Sequence, residues 1–231
     1  MRVAEGGVVA RTERLDPKRP FSVLVKETAE LLKTGGVAAF PTDTLYGLGC
    51  SAGSSEGLSR LRRLKGAGRD SPFILLIGDV GWLRTLARRV TPLAEDLIRR
   101  YWPGPLSIVL DAAEGAPRGA TCGRGTVAVR LPADLWCASL CRELGEPIAS
   151  TSANPAGEKP AADAKEASRI FGDRLDLIVD GGPSPGEGPS TLVDARGRKP
   201  VVLRQGVLFL GKSPAAEGNI GEGADGDEQP R

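Results

Sequence analysis

Short apolar runs that do not alternate with polar residues are the feature that most constrains what this chain can fold into. Residues 37–40, 73–77, 106–110, 126–131, 147–150, 177–180, 191–194 and 200–203 read as strands. A strand that is apolar on both sides must be buried on both faces, so helices are expected above and below the sheet. Helical spacing supplies them. Within residues 22–33, Val25, Ala29 and Leu32 share one face, and Gly35-Gly36 stops the helix. Ser54 or Ser55 caps a helix that runs to Leu64. Thr91 caps another, which opens on Pro92 and ends near Tyr101-Trp102. Further helices are predicted over 132–144 and 163–171. The expected fold class is α/β, a β-sheet covered by helices.

A chain of 231 residues fits one large domain, or one domain plus tails. Residues 1–20 are charged and carry Pro17 and Pro20, which predicts a loose arm or an edge strand. Residues 21–210 form the body. Residues 211–231 are rich in Gly, Asp and Glu with almost nothing to bury, so a disordered acidic tail is expected there. No apolar stretch approaches the roughly 20 residues needed to span a bilayer, and the first residues lack the apolar run of a signal peptide. A cytoplasmic protein with no membrane partner is the expectation. The formal charge of +2 gives no global field that demands nucleic acid.

There is no histidine in the sequence. Ser-His-Asp and Cys-His catalysis are therefore excluded, as are metal sites that need an imidazole. The four cysteines, Cys50, Cys122, Cys137 and Cys141, form no CxxC pair and read as reduced thiols packed as small hydrophobes. Chemistry must come from hydroxyls, carboxylates, Lys, Arg, Cys, backbone amides or a borrowed ion. No dedicated metal site is expected.

Three polar clusters leave the predicted strands. The first is 40–49, where Thr42, Asp43, Thr44 and Tyr46 sit on a turn closed by Gly47 and Gly49. An ordinary polar turn after a strand is the bland alternative here; if the turn contacts a ligand, as the resemblance given below implies, these glycines would bring backbone close to it. The second is Ser150-Thr151-Ser152-Ala153-Asn154, uncharged donors and acceptors suited to phosphate, ribose or carboxylate oxygens. Helix capping or a serine-threonine turn is the bland alternative. The third is basic. Arg130 and Arg204 each follow an apolar triplet, and a cation at a buried strand end either pairs with a carboxylate or awaits an anion. Lys65 and Arg69 flank glycines after a basic helix, where solvated surface charge is the plain reading. Residues 206–213 match the phosphate-loop pattern GxxxxGK[ST] letter by letter. The match is rejected because Val207 to Leu210 favour a strand and no helix follows.

In order and spacing, the segments 40–49, 65–77, 102–106, 126–132, 150–154, 188–191 and 203–206 resemble the YrdC-like (TsaC) family of L-threonylcarbamoyladenylate synthases. The resemblance covers roughly residues 21–210. It implies a twisted mixed β-sheet with flanking helices around a concave, positively lined cavity. It also implies a reaction in which L-threonine, bicarbonate and ATP give threonylcarbamoyl-AMP, pyrophosphate and water. The product serves the modification of adenosine 37 in tRNA, so tRNA or the downstream transfer machinery are implied partners.

By position, Thr44, Arg130, Ser150 and Ser190 correspond to threonine-binding residues. Ser71, Thr126, Ser152, Asn154 and Arg204 correspond to nucleotide-binding residues. Lys65 is the lysine of a Lys-x-Arg signature, placed near phosphates and the threonine carboxylate. The arginine of that signature is absent: Ala67 stands there, and Arg69 is expected to take its catalytic role beside Lys65. Leu76 stands where some members carry a histidine. Longer members add a second domain, for which residues after 210 are too few and too polar.

Adenylyl transfer asks a protein for positioning and charge stabilisation, which a site without histidine can supply. Magnesium is expected to arrive with ATP. Two rival functions remain on the sequence alone. One is a double-stranded RNA or nucleotide-binding module without catalysis, disfavoured by the small net charge and the 4% aromatic content. The other is a carbamoyl-handling maturation domain, which belongs in a far longer chain with zinc-binding cysteines.

Overall fold

Period-two alternation, masked in the sequence because both faces are apolar, sorts the strand residues into two separate cores. The computed structural model describes residues 10–15, 21–66, 68, 70–185 and 188–210. Ala67, Arg69, the tail 211–231 and most of the arm 1–20 lie outside the described residues. The strands in chain order are β1 (Arg11–Arg14), β2 (Ala38–Phe40), β3 (Gly47–Ser51), β4 (Ile74–Leu76), β5 (Leu106–Asp111), β6 (Thr126–Arg130), β7 (Ile148–Ser152), β8 (Leu177–Asp180), β9 (Thr191–Asp194) and β10 (Val201–Arg204). They form one mixed sheet in the order β1-β8-β2-β3-β7-β4-β6-β5-β9-β10. The β1–β8, β2–β8, β4–β6 and β5–β9 pairs are parallel and the rest antiparallel.

The helices are α1 (Phe21–Lys33), α2 (Ser55–Lys65), α3 (Leu83–Leu86), α4 (Pro92–Tyr101), α5 (Arg118–Thr121), α6 (Leu135–Leu144) and α7 (Ala164–Phe171). On one face, Leu48, Leu75, Ile108, Val129 and Val193 pack against α2, α3, α4, α5 and α7. On the other, Ala38, Phe40, Leu76, Ile148 and Val179 pack chiefly against α1 and α6. Further along that second face, the same register presents Ser150 and Ser152 of β7, Thr126, Ala128 and Arg130 of β6, Val109 of β5 and Leu192 of β9. All of these line an open cavity instead of a core.

Several local expectations change. Residues 40–49 are not one turn: Gly47 opens β3, which pairs antiparallel with β2, so the loop between them is short. Gly49 serves packing and not a ligand, because a Cβ there would sit 2.7 Å from both Ile148 Cγ2 and Phe40 Cε1. β7 continues to Ser152, so Ser150 is a mid-strand residue. The helix predicted from Pro132 begins at Leu135, because Asp134 Oδ1 accepts from the Cys137 N–H at 2.7 Å and fixes the first turn. Val207 to Leu210 make no strand; Thr191 Oγ1 accepts from the Leu208 N–H (3.2 Å) and donates to the Leu208 carbonyl (2.7 Å), pinning the segment as a loop. Ser54 and Thr91 cap α2 and α4 as expected. None of the four cysteines is in a disulfide, and Cys122 is the one that is part exposed.

Candidate active site

A cavity of about 420 Å³ occupies the uncovered part of the second face. Its wall includes Thr44, Thr126, Arg130, Ser150, Ser152, Ser190 and Arg204, drawn from strands and the loops between them. No acidic side chain lines it among the described residues.

Arg130 closes β6 and is buried. Its Nε donates to the Gly104 carbonyl (3.0 Å), NH1 to Thr44 Oγ1 (2.9 Å) and NH2 to Asp43 Oδ1 (2.7 Å). A buried guanidinium needs a partner charge and filled hydrogen bonds, and Asp43 with the 103–105 turn supplies both. Thr44 Oγ1 also shares a 3.0 Å hydrogen bond with Thr42 Oγ1, whose hydroxyl donates to the Leu45 carbonyl at 2.7 Å. Tyr46 is a scaffold residue: fully buried, it donates to the Gly182 carbonyl (3.0 Å) and accepts from the Gly181 N–H (3.2 Å). Burial raises its phenol pKa above the ordinary value.

The second centre is Lys65, the last residue of α2. Gly66, left-handed at φ 64°, ends that helix and lets the chain turn away. The ammonium does not point to solvent. Nζ donates to Asn154 Oδ1 (2.7 Å), Ser152 Oγ (3.0 Å) and the Ser152 carbonyl (3.2 Å). The solvated-surface reading of Lys65 is thereby corrected. Burial, helped by the charge on Arg204, lowers its pKa from 10.5 to about 8. Asn154 is fully engaged: its Nδ2 donates to the Pro155 and Glu158 carbonyls while Oδ1 accepts from Lys65 and Ser152. It holds Lys65 and Ser152 in place.

The third centre joins Ser190, just before β9, to Ser107 of β5 and Arg204 at the end of β10. Ser190 Oγ shares a hydrogen bond with Ser107 Oγ (2.8 Å) and accepts from Arg204 NH2 (3.2 Å), which also donates to the Ser190 carbonyl (3.0 Å). Arg204 has no carboxylate partner among the described residues. Burial and repulsion from Arg130 lower its pKa. Like charges that feel one another across a cavity without acids make a field suited to a polyanion. Ser150 Oγ donates to the Leu48 carbonyl at 3.1 Å, and Thr126 lies in the wall. Ser71 lies outside the lining, next to Pro72, which is in it; its N–H donates to the Gly68 carbonyl at 3.1 Å.

Arg124 lines the cavity and escaped the sequence reading. It stands between Gly123 and Gly125, both with positive φ, and NH2 donates to the Asp70 carbonyl at 2.5 Å. The two flanking glycines are the signal that marks a loop built to carry one side chain. Among the described residues no group of three or more Cys, Asp or Glu side chains could hold a metal. No helix there is long and apolar enough to cross a membrane.

The family model for Sua5, YciO and YrdC, described as "Telomere recombination", matches residues 30–206. A threonylcarbamoyl-AMP synthase of Halorhodospira halophila is 39% identical over 181 residues, covering 77% of this chain and 92% of that protein. Pyrococcus abyssi Sua5 complexed with L-threonine superposes with a TM-score of 0.79 at 35% identity, covering 86% of this chain. This chain spans 58% of that protein's length. Escherichia coli YciO gives a TM-score of 0.78 at 30% identity, covering 86% of this chain and 96% of the other. With the family model spanning the body and a cavity of hydroxyls and cations on the exposed half of the sheet, this chain belongs to the Sua5/YciO/YrdC family.

Proposed function

We propose that the protein is an L-threonylcarbamoyladenylate synthase, an adenylyl-transferring enzyme of tRNA modification. The observation that carries this reading is the convergence of Thr44, Arg130, Ser150, Ser152, Ser190 and Arg204 on one acid-free cavity, with Lys65 hydrogen-bonded to Ser152 at its edge. Relatives at this level of identity are named for the same reaction.

The residues divide by charge. The Thr44–Arg130 end, with Ser150 and Ser190, takes threonine: the guanidinium faces the carboxylate and the hydroxyls take the remaining polar atoms. Lys65, Ser152 and Arg204 take the triphosphate, with Thr126 and Ser71 beside the nucleotide. A polyanion against Lys65 favours its charged form and offsets the burial that lowers its pKa. Asn154 keeps Lys65 aimed before substrate arrives.

With both substrates held, the threonine nitrogen attacks the carbon of bicarbonate, a C–N bond forms and water is lost. A carbamate oxygen then attacks the α-phosphorus; the O–P bond forms as the bond to pyrophosphate breaks. Cations and N–H donors fixed beforehand stabilise the charge that moves onto the leaving pyrophosphate. Magnesium enters with ATP as part of the substrate. The catalytic unit is residues 21–210, and Arg69 takes the place of the arginine missing at Ala67. The product is handed to a threonylcarbamoyl-transfer system acting on adenosine 37 of tRNA in the cytoplasm.

Purified protein incubated with ATP, bicarbonate and labelled threonine tests this directly. Pyrophosphate release that requires both threonine and bicarbonate is the expected result, and release indifferent to threonine overturns the assignment.

A further inference from the structure

A second groove, of about 620 Å³, takes no part in the chemistry described above. It lies between α3 and α4, which cover the face of the sheet opposite the cavity, and the two share no lining residue. Val80, Leu83, Val90 and Ile98 give the groove an apolar lining, and Val80 is 39% exposed. Arg84, Arg88 and Arg89 line it too, and all three are exposed.

Exposed cations need no ligand in themselves, but these three differ from the others around them. Arg11 pairs with Glu27 at 2.8 Å, Arg99 with Asp96 at 2.5 Å and Arg196 with Asp194 at 2.7 Å. Arg84, Arg88 and Arg89 make no ion pair and no side-chain hydrogen bond among the described residues. Glu95 lines the same groove and pairs with none of them. Like charges gathered around apolar surface favour an anionic segment that also brings an apolar side chain.

The chain itself carries such a segment. Residues 211–231 hold five carboxylates, Glu217, Glu222, Asp225, Asp227 and Glu228, against Lys212 and Arg231, with Ile220 among them. The described chain ends at Leu210, which packs against the same core cluster as Val90 and Ile98 of the groove. Residues 211–217 reach at most about 25 Å when extended. The ten residues of α4 are only about 15 Å long, so the acidic segment can reach along the whole groove.

We propose that the α3–α4 groove is the docking site of the chain's own acidic segment 217–228, with its carboxylates on Arg84, Arg88 and Arg89 and Ile220 on the apolar lining. Exposed ion pairs are weak one by one and are screened by salt. The tether compensates, because a segment on a short linker meets its site at an effective concentration on the order of millimolar. The docking is independent of the reaction in the cavity.

Binding of a fluorescent peptide of residues 211–231 to three full-length proteins, followed by anisotropy at low salt, tests this. The first is the wild type. The second has a neutral tail: Glu217→Gln, Glu222→Gln, Asp225→Asn, Asp227→Asn and Glu228→Gln. The third adds Arg84→Gln, Arg88→Gln and Arg89→Gln to the second. The neutral-tail protein should bind the peptide about tenfold more tightly than the wild type, whose own tail competes for the groove. The third protein should not bind it, and salt of about 0.5 M should release it from the second. The three arginine side chains are exposed and unpartnered, so the denaturant midpoint should not move. Equal affinity for the first two proteins overturns the docking, as does peptide binding that survives the arginine changes. If a short RNA duplex binds the second protein and not the third, while the peptide binds neither, the groove belongs to nucleic acid and the tail is not its occupant.

Discussion

The second face of the sheet is built in two halves, one closed by helices and one open, and they differ in the side chains each strand turns toward that face. Where α1 and α6 cover it, the inward residues include Ala38, Phe40, Leu76 and Ile148, which pack into one core. Along β7 the same alternation continues from Ile148 to Ser150 and Ser152, and there the helices stop. One strand therefore serves as core at one end and as binding wall at the other. The difference teaches that the site is not added to the fold; it is the part of the sheet left uncovered. Its polar groups are held by the same ladder that holds the core.

Breaking the open half at its most buried charge gives the largest expected effect. Arg130→Met removes the cation facing threonine and leaves Asp43 in a low-dielectric wall without its 2.7 Å partner. Threonine-dependent pyrophosphate release should fall on the order of 100- to 1000-fold. Stability should fall by about 3–5 kcal/mol, read from denaturant unfolding, as expected when one partner of a buried pair is removed. The matching change in the covered half is Phe40→Ala. Phe40 is fully buried and its ring lies 5.9 Å from that of Trp136. Here the stability loss should be similar, about 3–5 kcal/mol, with the activity of the folded fraction retained. Equal activity losses in the two variants would mean that the halves are not functionally distinct.

The parts of the sheet covered by helices, on either face, were the more legible in sequence. Apolar runs, the helical face of Val25, Ala29 and Leu32, and the Ser54 and Thr91 caps identify elements through local rules that need no tertiary knowledge. The mixed sheet and family were equally readable, because the ordered motifs span the body. The strand order was not, since pairing β2 with β8 and β5 with β9 depends on contacts across more than a hundred and about eighty residues respectively. β3 was hidden because Gly47 and Gly49 read as turn residues, whereas Gly49 is a packing necessity under Phe40 and Ile148. In the open half, residue types were readable but their partners were not. Nothing local says that Lys65 turns back to Ser152 and Asn154, or that Arg204 shares Ser190 with Ser107.

Lys65 sharpens the comparison through pH. Burial lowers its pKa from 10.5 in the unfolded chain to about 8 in the folded protein. Above about pH 8 the free enzyme loses this cation, so kcat/KM for ATP should decline there, and Lys65→Arg should remove that break. Stability moves the other way. Between about 8 and 10.5 the unfolded chain binds more protons than the folded one, so stability should rise with pH across that window. Lys65→Met should abolish that rise. A flat ATP profile in the wild type would show that the lysine is not poised in the nucleotide half.

The smallest single-variant effects concern Arg69 and Arg124, and they decide how the missing Lys-x-Arg cation is replaced. Arg69 is the proposed substitute, two residues beyond Ala67. Arg124 is the competitor the structure adds, on the cavity wall between two positive-φ glycines and tied to the Asp70 carbonyl at 2.5 Å. That hydrogen bond joins the loop before β6 to Asp70, which follows Arg69 in sequence, and the proposal is that the two arginines share one phosphate. If they do, each single alanine variant should raise the KM for ATP by at most about tenfold, one charge-assisted hydrogen bond's worth. The double variant should then lose more than the sum of the two, because either arginine alone keeps the shared phosphate contacted and only the double variant strands it. Ala67→Arg should restore most of the loss in Arg69→Ala. Additive losses would assign the arginines to different phosphates. A silent Arg69→Ala with a strong Arg124→Ala would move the substitution from the α2–β4 loop to the loop before β6, on the wall of the open half.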